Sequence, residues 1–259
     1  MGSDPGDPQG QLAPSTSTGR RTAFLVLAWF LAVAGIAFGL FSVVFGFIDE
    51  GQRIHRFHNV LLGTLLLVLT APPLVAAVRN PERATIPLMH LLVLSAAGLV
   101  TMAVALTVDS FTLPILVLLG VLWLLRPRKE SPFPPGRPSV ILLVLVLAAA
   151  VPLVLYSFDN ARLQDLDSTS EHAELFHWVE TSFTAAGVLF LGLLVSVRPA
   201  AYRMSVWCAG LATAILGAAS LALPTYASAF DTSWAWAALA GGLAFVAVAE
   251  WEFHRAPTR

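Results

Sequence analysis

The sequence predicts an all-α integral membrane protein, an eight-helix transmembrane bundle read as two four-helix halves related by a parallel internal repeat. Three observations predict it. Of 259 residues, 57% are hydrophobic and only 12% charged, about half the charged share of an ordinary soluble domain, and the mean hydropathy is +0.76. Apolar stretches recur at close to the roughly 20 residues that a helix needs to cross a bilayer. The basic residues fall into alternate gaps between those stretches, as the positive-inside rule demands of a multi-pass chain.

Residues 1–21 are rich in Gly, Pro, Ser and Thr without an apolar face, and read as a disordered cytoplasmic tail that ends on Arg20 and Arg21. Phe24 comes one place late for a twin-arginine export signal. The apolar run that follows is long enough to stay in the membrane, so it reads as an uncleaved anchor. Apolar runs occupy residues 22–47, 57–78, 85–108, 110–125, 139–158, 174–197, 204–223 and 233–251. The fourth is short for a crossing and holds Pro114. Pro72 and Pro73 should bend the second helix and free backbone carbonyls, since proline cannot donate to the residue four before it. The halves are residues 22–137 and 138–255, with a short tail at 256–259.

Eight crossings with both termini in the cytoplasm place twelve of the fifteen Lys and Arg residues inside, leaving only Arg53, Arg56 and Arg162 outside. Seven crossings would instead expose the basic loop from Arg126 to Arg137. Trp178, Trp234 and Trp236 at one side and Trp123, Trp207 and Trp251 at the other match interfacial belts. The expected location is therefore the cell membrane, with the lipid bilayer as the obligatory partner and other membrane proteins as candidate partners. A net charge of -1 without a basic block gives nothing to hold a phosphate backbone, which argues against nucleic acid. The single Cys208 excludes an intramolecular disulfide and reads as a buried small hydrophobe.

The second and sixth helices align without a gap. Phe57-His58-Asn59-Val60 matches Phe176-His177-Trp178-Val179, and Val78-Arg79 matches Val197-Arg198. Ala97-Gly98-Leu99-Val100-Thr101 resembles Ala209-Gly210-Leu211-Ala212-Thr213 at a slightly shorter offset. A duplication with an even number of crossings per half would relate the halves by an axis along the membrane normal, an arrangement found in transporters.

Polarity concentrates in residues 171–180, E-H-A-E-L-F-H-W-V-E, and at the start of the second helix, where His55 and His58 lie. Ionisable residues at the mouth of a membrane helix are functional candidates. Treating the sixth helix as continuous from Glu174, helical spacing puts Glu174, His177 and Glu180 on one face and turns His172 and Glu171 away. The candidate metal ligands are His55, His58, Glu174, His177 and Glu180. His58 and His177 are also the candidate axial pair for a single haem. Imidazoles with one or two carboxylates suit zinc, iron, manganese or copper better than calcium or magnesium.

Two other readings stand beside this one. The cluster suits a structural ion-pair network with Arg53, Arg56 or Arg162 as partners, and it suits a mouth that collects protons or metal ions for a permease, with Glu180 as relay. The expected function is redox or metal-dependent chemistry at the outer face, with the permease or a non-catalytic subunit of a membrane complex as alternatives. His90 is expected to make an interhelical hydrogen bond, and His254 to be solvated. No G-x-G-x-x-G, Walker loop, G-x-S-x-G or H-E-x-x-H occurs.

Overall fold

The structure, a computed structural model, describes residues 18–128, 131, 137–197 and 201–255. The expected tails at 1–17 and 256–259 lie outside that set, as do Lys129, Arg198 and Arg259. Among the described residues every regular element is helical: α1 (Thr18–Ile48), α2 (Glu50–Arg79), α3 (Thr85–Val104), α4 (Thr112–Leu125), α5 (Val140–Leu166), α6 (His177–Val197), α7 (Arg203–Ala222) and α8 (Thr232–Arg255), with single turns at Pro81–Arg83 and Glu171–Glu174. Seven are long and apolar enough to cross a membrane. The eighth, α4, has 14 residues. Arg20 and Arg21 belong to the first turn of α1 rather than to a tail, because the helix begins at Thr18.

Burial sets the layout. In α6, 17 of 21 residues are buried, whereas in α8 only Ala235, Gly242, Phe245, Val246 and Ala249 are. A helix apolar on all sides and buried on all sides is a core element, and one buried on a single stripe faces lipid with the rest. So α6 is the axis of the bundle, flanked by α2, α3, α5 and α7, while α1, α4 and α8 lie outside it. Small residues let the outer helices come close. On the stripe Ala235, Gly242 and Ala249 of α8, a methyl added to Gly242 would strike the Gly210 carbonyl of α7, and one on Gly217 would lie 2.5 Å from the Ala235 carbonyl. Backbones in contact at glycine are the usual way for membrane helices to gain packing, since lipid supplies no hydrophobic drive between them.

The second helix is not regular. It opens as a 3-10 segment, Glu50–His55, runs as α-helix over Arg56–Thr64, widens to a π segment over Leu65–Thr70, and resumes as α-helix over Ala71–Arg79. Pro72 and Pro73 explain the widening. Pro73 has no N–H to give the Leu69 carbonyl, and His90 of α3 supplies the missing donor, its Nε2 lying 2.7 Å from Leu69 O. A carbonyl only accepts, so Nε2 carries the proton and the neutral ring's Nδ1 accepts from the Ser205 hydroxyl of α7 at 2.8 Å. His90 is fully buried with both nitrogens partnered, and it ties α2, α3 and α7 together.

At the end of the bundle away from residues 171–180, polar ties join neighbouring helices. Glu82 lies 3.8 Å from Arg21 and 3.1 Å from Arg128. Glu250 accepts from Arg203 Nε at 2.8 Å and from the Trp207 indole at 2.7 Å, and Ser139 donates to Glu252 at 2.8 Å. At the opposite end Tyr156 donates to Ser228 O at 2.7 Å, and Ser228 donates to Asn160 at 2.6 Å. Asp109, fully buried, caps α4 by accepting from the backbone N–H of Phe111 at 2.8 Å and of Thr112 at 3.1 Å.

Candidate functional site

Four imidazoles meet where the first turns of α2 and α6 converge. His55 ends the 3-10 segment, His58 lies one turn into the helix, and His177 opens α6. The fourth is His172, on the turn Glu171–Glu174. Ring centres are 4.5 Å apart for His55 and His172, 4.8 Å for His55 and His177, 5.0 Å for His58 and His172, 5.2 Å for His58 and His177, and 5.9 Å for His172 and His177. The His58 and His177 planes are 4° from parallel. The Trp178 indole closes one side, stacked on His172 at 5.1 Å and edge-on to His58 at 5.0 Å.

The sequence-based choice of face was partly wrong. It admitted Glu174 and dismissed His172 and Glu171, on the premise of one helix running from 174. Instead the helix breaks at Leu175 and Phe176, where Phe176 takes φ of 59°, and α6 starts afresh at His177. A left-handed residue resets the helical phase. Glu174 is consequently exposed, with no hydrogen bond or ion pair from its carboxylate among the described residues, while His172 swings into the cluster and Glu171 Oε1 comes 3.3 Å from His55 Nε2. The break was not visible in the sequence because neither residue is Gly or Pro. Among the described residues Arg53, Arg56 and Arg162 make no ion pair with the cluster. Arg56 donates to Gly46 O at 3.0 Å and approaches Glu50 at 3.6 Å, and Arg162 lies over the Phe158 ring.

Three of the four rings have one nitrogen held from outside the cluster. His177 Nδ1 is 3.3 Å from Glu180 Oε2, one turn deeper on α6. His58 Nδ1 is 2.9 Å from the Thr181 hydroxyl. His172 Nε2 donates to Ile54 O at 3.2 Å, which leaves Nδ1 as its lone-pair nitrogen. His55 has only the Glu171 approach, which falls short of a hydrogen bond. The result is a set of buried orphans. His55 Nδ1 and Nε2, His177 Nε2 and Trp178 Nε1 are all buried without a hydrogen-bond partner. Leaving such a group unpaired costs about 1–3 kcal/mol each, so several in one place call for an explanation.

Of the four, His172 lies outside the spanning helices. Burial foremost, then the facing His55 ring, holds its pKa below the ordinary histidine value, against the opposing pull of Ile54 O. As the side chains stand, no group of three or more His, Cys, Asp or Glu among the described residues converges to hold a metal ion. An open vestibule of about 600 Å³ lies over the cluster, with His58, His172 and Trp178 in its wall.

Fold and site together define a multi-pass helical membrane protein with a buried histidine cluster at one end of the bundle. Comparisons with protein-family models, curated proteins and solved structures found no match to this chain.

Proposed function

We propose that the protein binds one transition-metal ion of the zinc or copper type through the imidazoles of His55, His58, His172 and His177, for redox or metal-dependent chemistry at the outer membrane face. The observation that carries this reading is that His58, His172 and His177 each have one ring nitrogen anchored and the other without a hydrogen bond among the described residues, while both His55 nitrogens are buried and unpartnered. Metal-binding histidines characteristically give their other N–H to a carboxylate, hydroxyl or carbonyl, which fixes the tautomer. Glu180, Thr181 and Ile54 O are partners of that kind for His177, His58 and His172, and Glu171 approaches His55 at 3.3 Å.

The spacing agrees. Two imidazoles on one zinc, at about 2.0–2.1 Å from nitrogen to metal, have ring centres roughly 5 Å apart, and the observed separations run from 4.5 to 5.9 Å. As the rings stand no three of them converge on one point, so loading an ion requires the rings to turn. A haem with two axial imidazoles needs roughly 6 Å between ring centres and a flat slot between them. His58 and His177 are closer than that at 5.2 Å, with His172 and Trp178 against them, so an ion fits better than a haem. Imidazole donors favour zinc, copper or iron over manganese. Glu180 takes the supporting place rather than a ligand position, and Glu174 takes none.

A permease finds less support. Beneath Thr184 the core closes on Gly187, Leu94 and Leu69, where even a methyl on Gly187 would lie 2.6 Å from Leu94. The parallel repeat and the cytoplasmic termini belong to the same proposal. In support, α1 packs on α2 and α4 as α5 packs on α6 and α8, α3 lies against α6 as α7 lies against α2, and α2 meets α6 between them. With the termini inside, the cluster faces outward.

The test is elemental analysis and competitive chelation of purified protein, stripped and then reloaded with zinc. One ion per chain is expected, lost on replacing His58 and His177 together. Failure of the intact protein to hold an ion against a chelator of micromolar affinity would sink the reading.

A further inference from the structure

The vestibule over the histidine cluster has a chemistry that the metal alone does not explain. Arg53 and Arg56 line it with Asp167, the His58 and His172 rings, and the α7–α8 connection from Leu223 to Ala227. Under the proposed topology only Arg53, Arg56 and Arg162 face outward, and two of those three line this one hollow. The positive-inside rule depletes the outer surface of Arg, so a pair sharing a cavity there is a concentration of charge against the trend.

The position of the pair is set by the fold. Tyr226 donates its hydroxyl to the Arg53 carbonyl and so ties the start of α2 to the α7–α8 connection, and Arg56 Nε is fixed on Gly46 O. Among the described residues Asp167 is the one carboxylate lining the hollow, against two arginines, and Glu50, which lies 3.6 Å from Arg56, is exposed and outside the lining. A second observation points to a ligand. Trp178, only 4% exposed, lines the hollow, and its Nε1–H is buried without an acceptor. An indole N–H can only donate, so what it lacks is an acceptor atom. Leu223, Pro224 and Ile54 add an apolar wall.

We propose that this vestibule is a binding site for a small organic oxyanion, a phosphate ester or a free carboxylate with an apolar portion, whose oxygens take charged hydrogen bonds from Arg53 and Arg56 and one from the Trp178 indole. Charge-assisted bonds from Arg to such groups are the strong ones. The site stands whether or not the neighbouring imidazoles hold an ion.

Metal-stripped, full-length protein titrated with phenyl phosphate tests it, with binding read by calorimetry. Saturable binding is expected, weakened about tenfold or more by Arg53→Gln combined with Arg56→Gln, as loss of hydrogen bonds to a charged group implies. Trp178→Phe keeps the ring and removes the donor, and should weaken binding several-fold. Arg162→Gln, the third outer arginine, should leave it unchanged. Equal binding of benzyl alcohol, or wild-type binding by both the double arginine variant and Trp178→Phe, overturns the site. So does absence of binding to the wild-type protein. Nanodiscs separate the two sources of the group: phenyl phosphate competed off by phosphatidylglycerol identifies a lipid headgroup as the occupant, and equal binding in phosphatidylglycerol and phosphatidylcholine discs identifies a soluble anion. Zinc binding is measured separately on the same samples, so loss of one site is told apart from loss of the other.

Discussion

His90 and His177 are both buried histidines in one bundle, and they are in opposite situations. His90 has a partner at each ring nitrogen, Ser205 and the Leu69 carbonyl. His177 has Glu180 at Nδ1 and nothing at Nε2, among three other imidazoles. The lesson is that burial does not make a histidine a ligand. A fully satisfied ring completes someone else's hydrogen bonding, here the carbonyl that Pro73 leaves open, whereas a ring anchored on one side and unpaired on the other retains a nitrogen for a further partner.

The sharpest way to break this contrast is to remove each ring in turn. His177→Ala should lower zinc affinity by at least about 100-fold, beyond the roughly 10–100-fold typical of a supporting residue. His90→Leu should leave zinc affinity unchanged within error. Chelator competition on both variants reads the difference, and equal losses would erase the distinction. One step smaller, Glu180→Gln should reduce affinity by roughly 10–100-fold while the stoichiometry stays at one ion, because it weakens the anchor and not the ligand.

Acidity sharpens the contrast from another side. Protons compete with metal for imidazole lone pairs, so zinc affinity should decline as pH falls below about 6.5, the ordinary histidine value. The metal-free protein should respond too. His172 has its folded pKa held below the ordinary value, so below about 6.5 the unfolded chain binds more protons than the folded one. Its stability contribution is complete above that pH and erodes as pH falls through the folded value. Thermal unfolding of stripped protein across pH 7.5 to 5 checks the direction, and a rise in stability on acidification would contradict it. The smallest effect is on the other side of the comparison. His90→Leu should cost about 1–2 kcal/mol in unfolding free energy by orphaning Leu69 O, while His90→Gln, which keeps a donor, should cost less.

Much of this was legible in the sequence. Hydropathy marked every helix, and Pro72-Pro73 announced freed carbonyls in α2, because a missing N–H is a covalent fact that tertiary contacts do not alter. His90 could be read as an interhelical hydrogen bonder, and His55, His58, His177 and Glu180 could be named as one neighbourhood. Some limits were less legible: α5 runs to Leu166, past the apolar stretch that ended at 158, since its last turns are polar and held by Asn160 and Gln164. Charge and tryptophan placement argue for a direction in the membrane, and they do so from composition alone.

Tertiary structure decided which residues share the site. Helical periodicity carries a face forward only while the helix is unbroken, and the left-handed Phe176 interrupts it between Glu174 and His177. That single backbone rotation takes Glu174 out to solvent and brings His172 and Glu171 in. The sequence determined that imidazoles and carboxylates would crowd the mouths of α2 and α6, because hydropathy leaves them nowhere else to lie. Which of them meet, and which ring nitrogens are left without partners, depended on how the turn before α6 packs onto the first turn of α2, a long-range contact that no local pattern encodes.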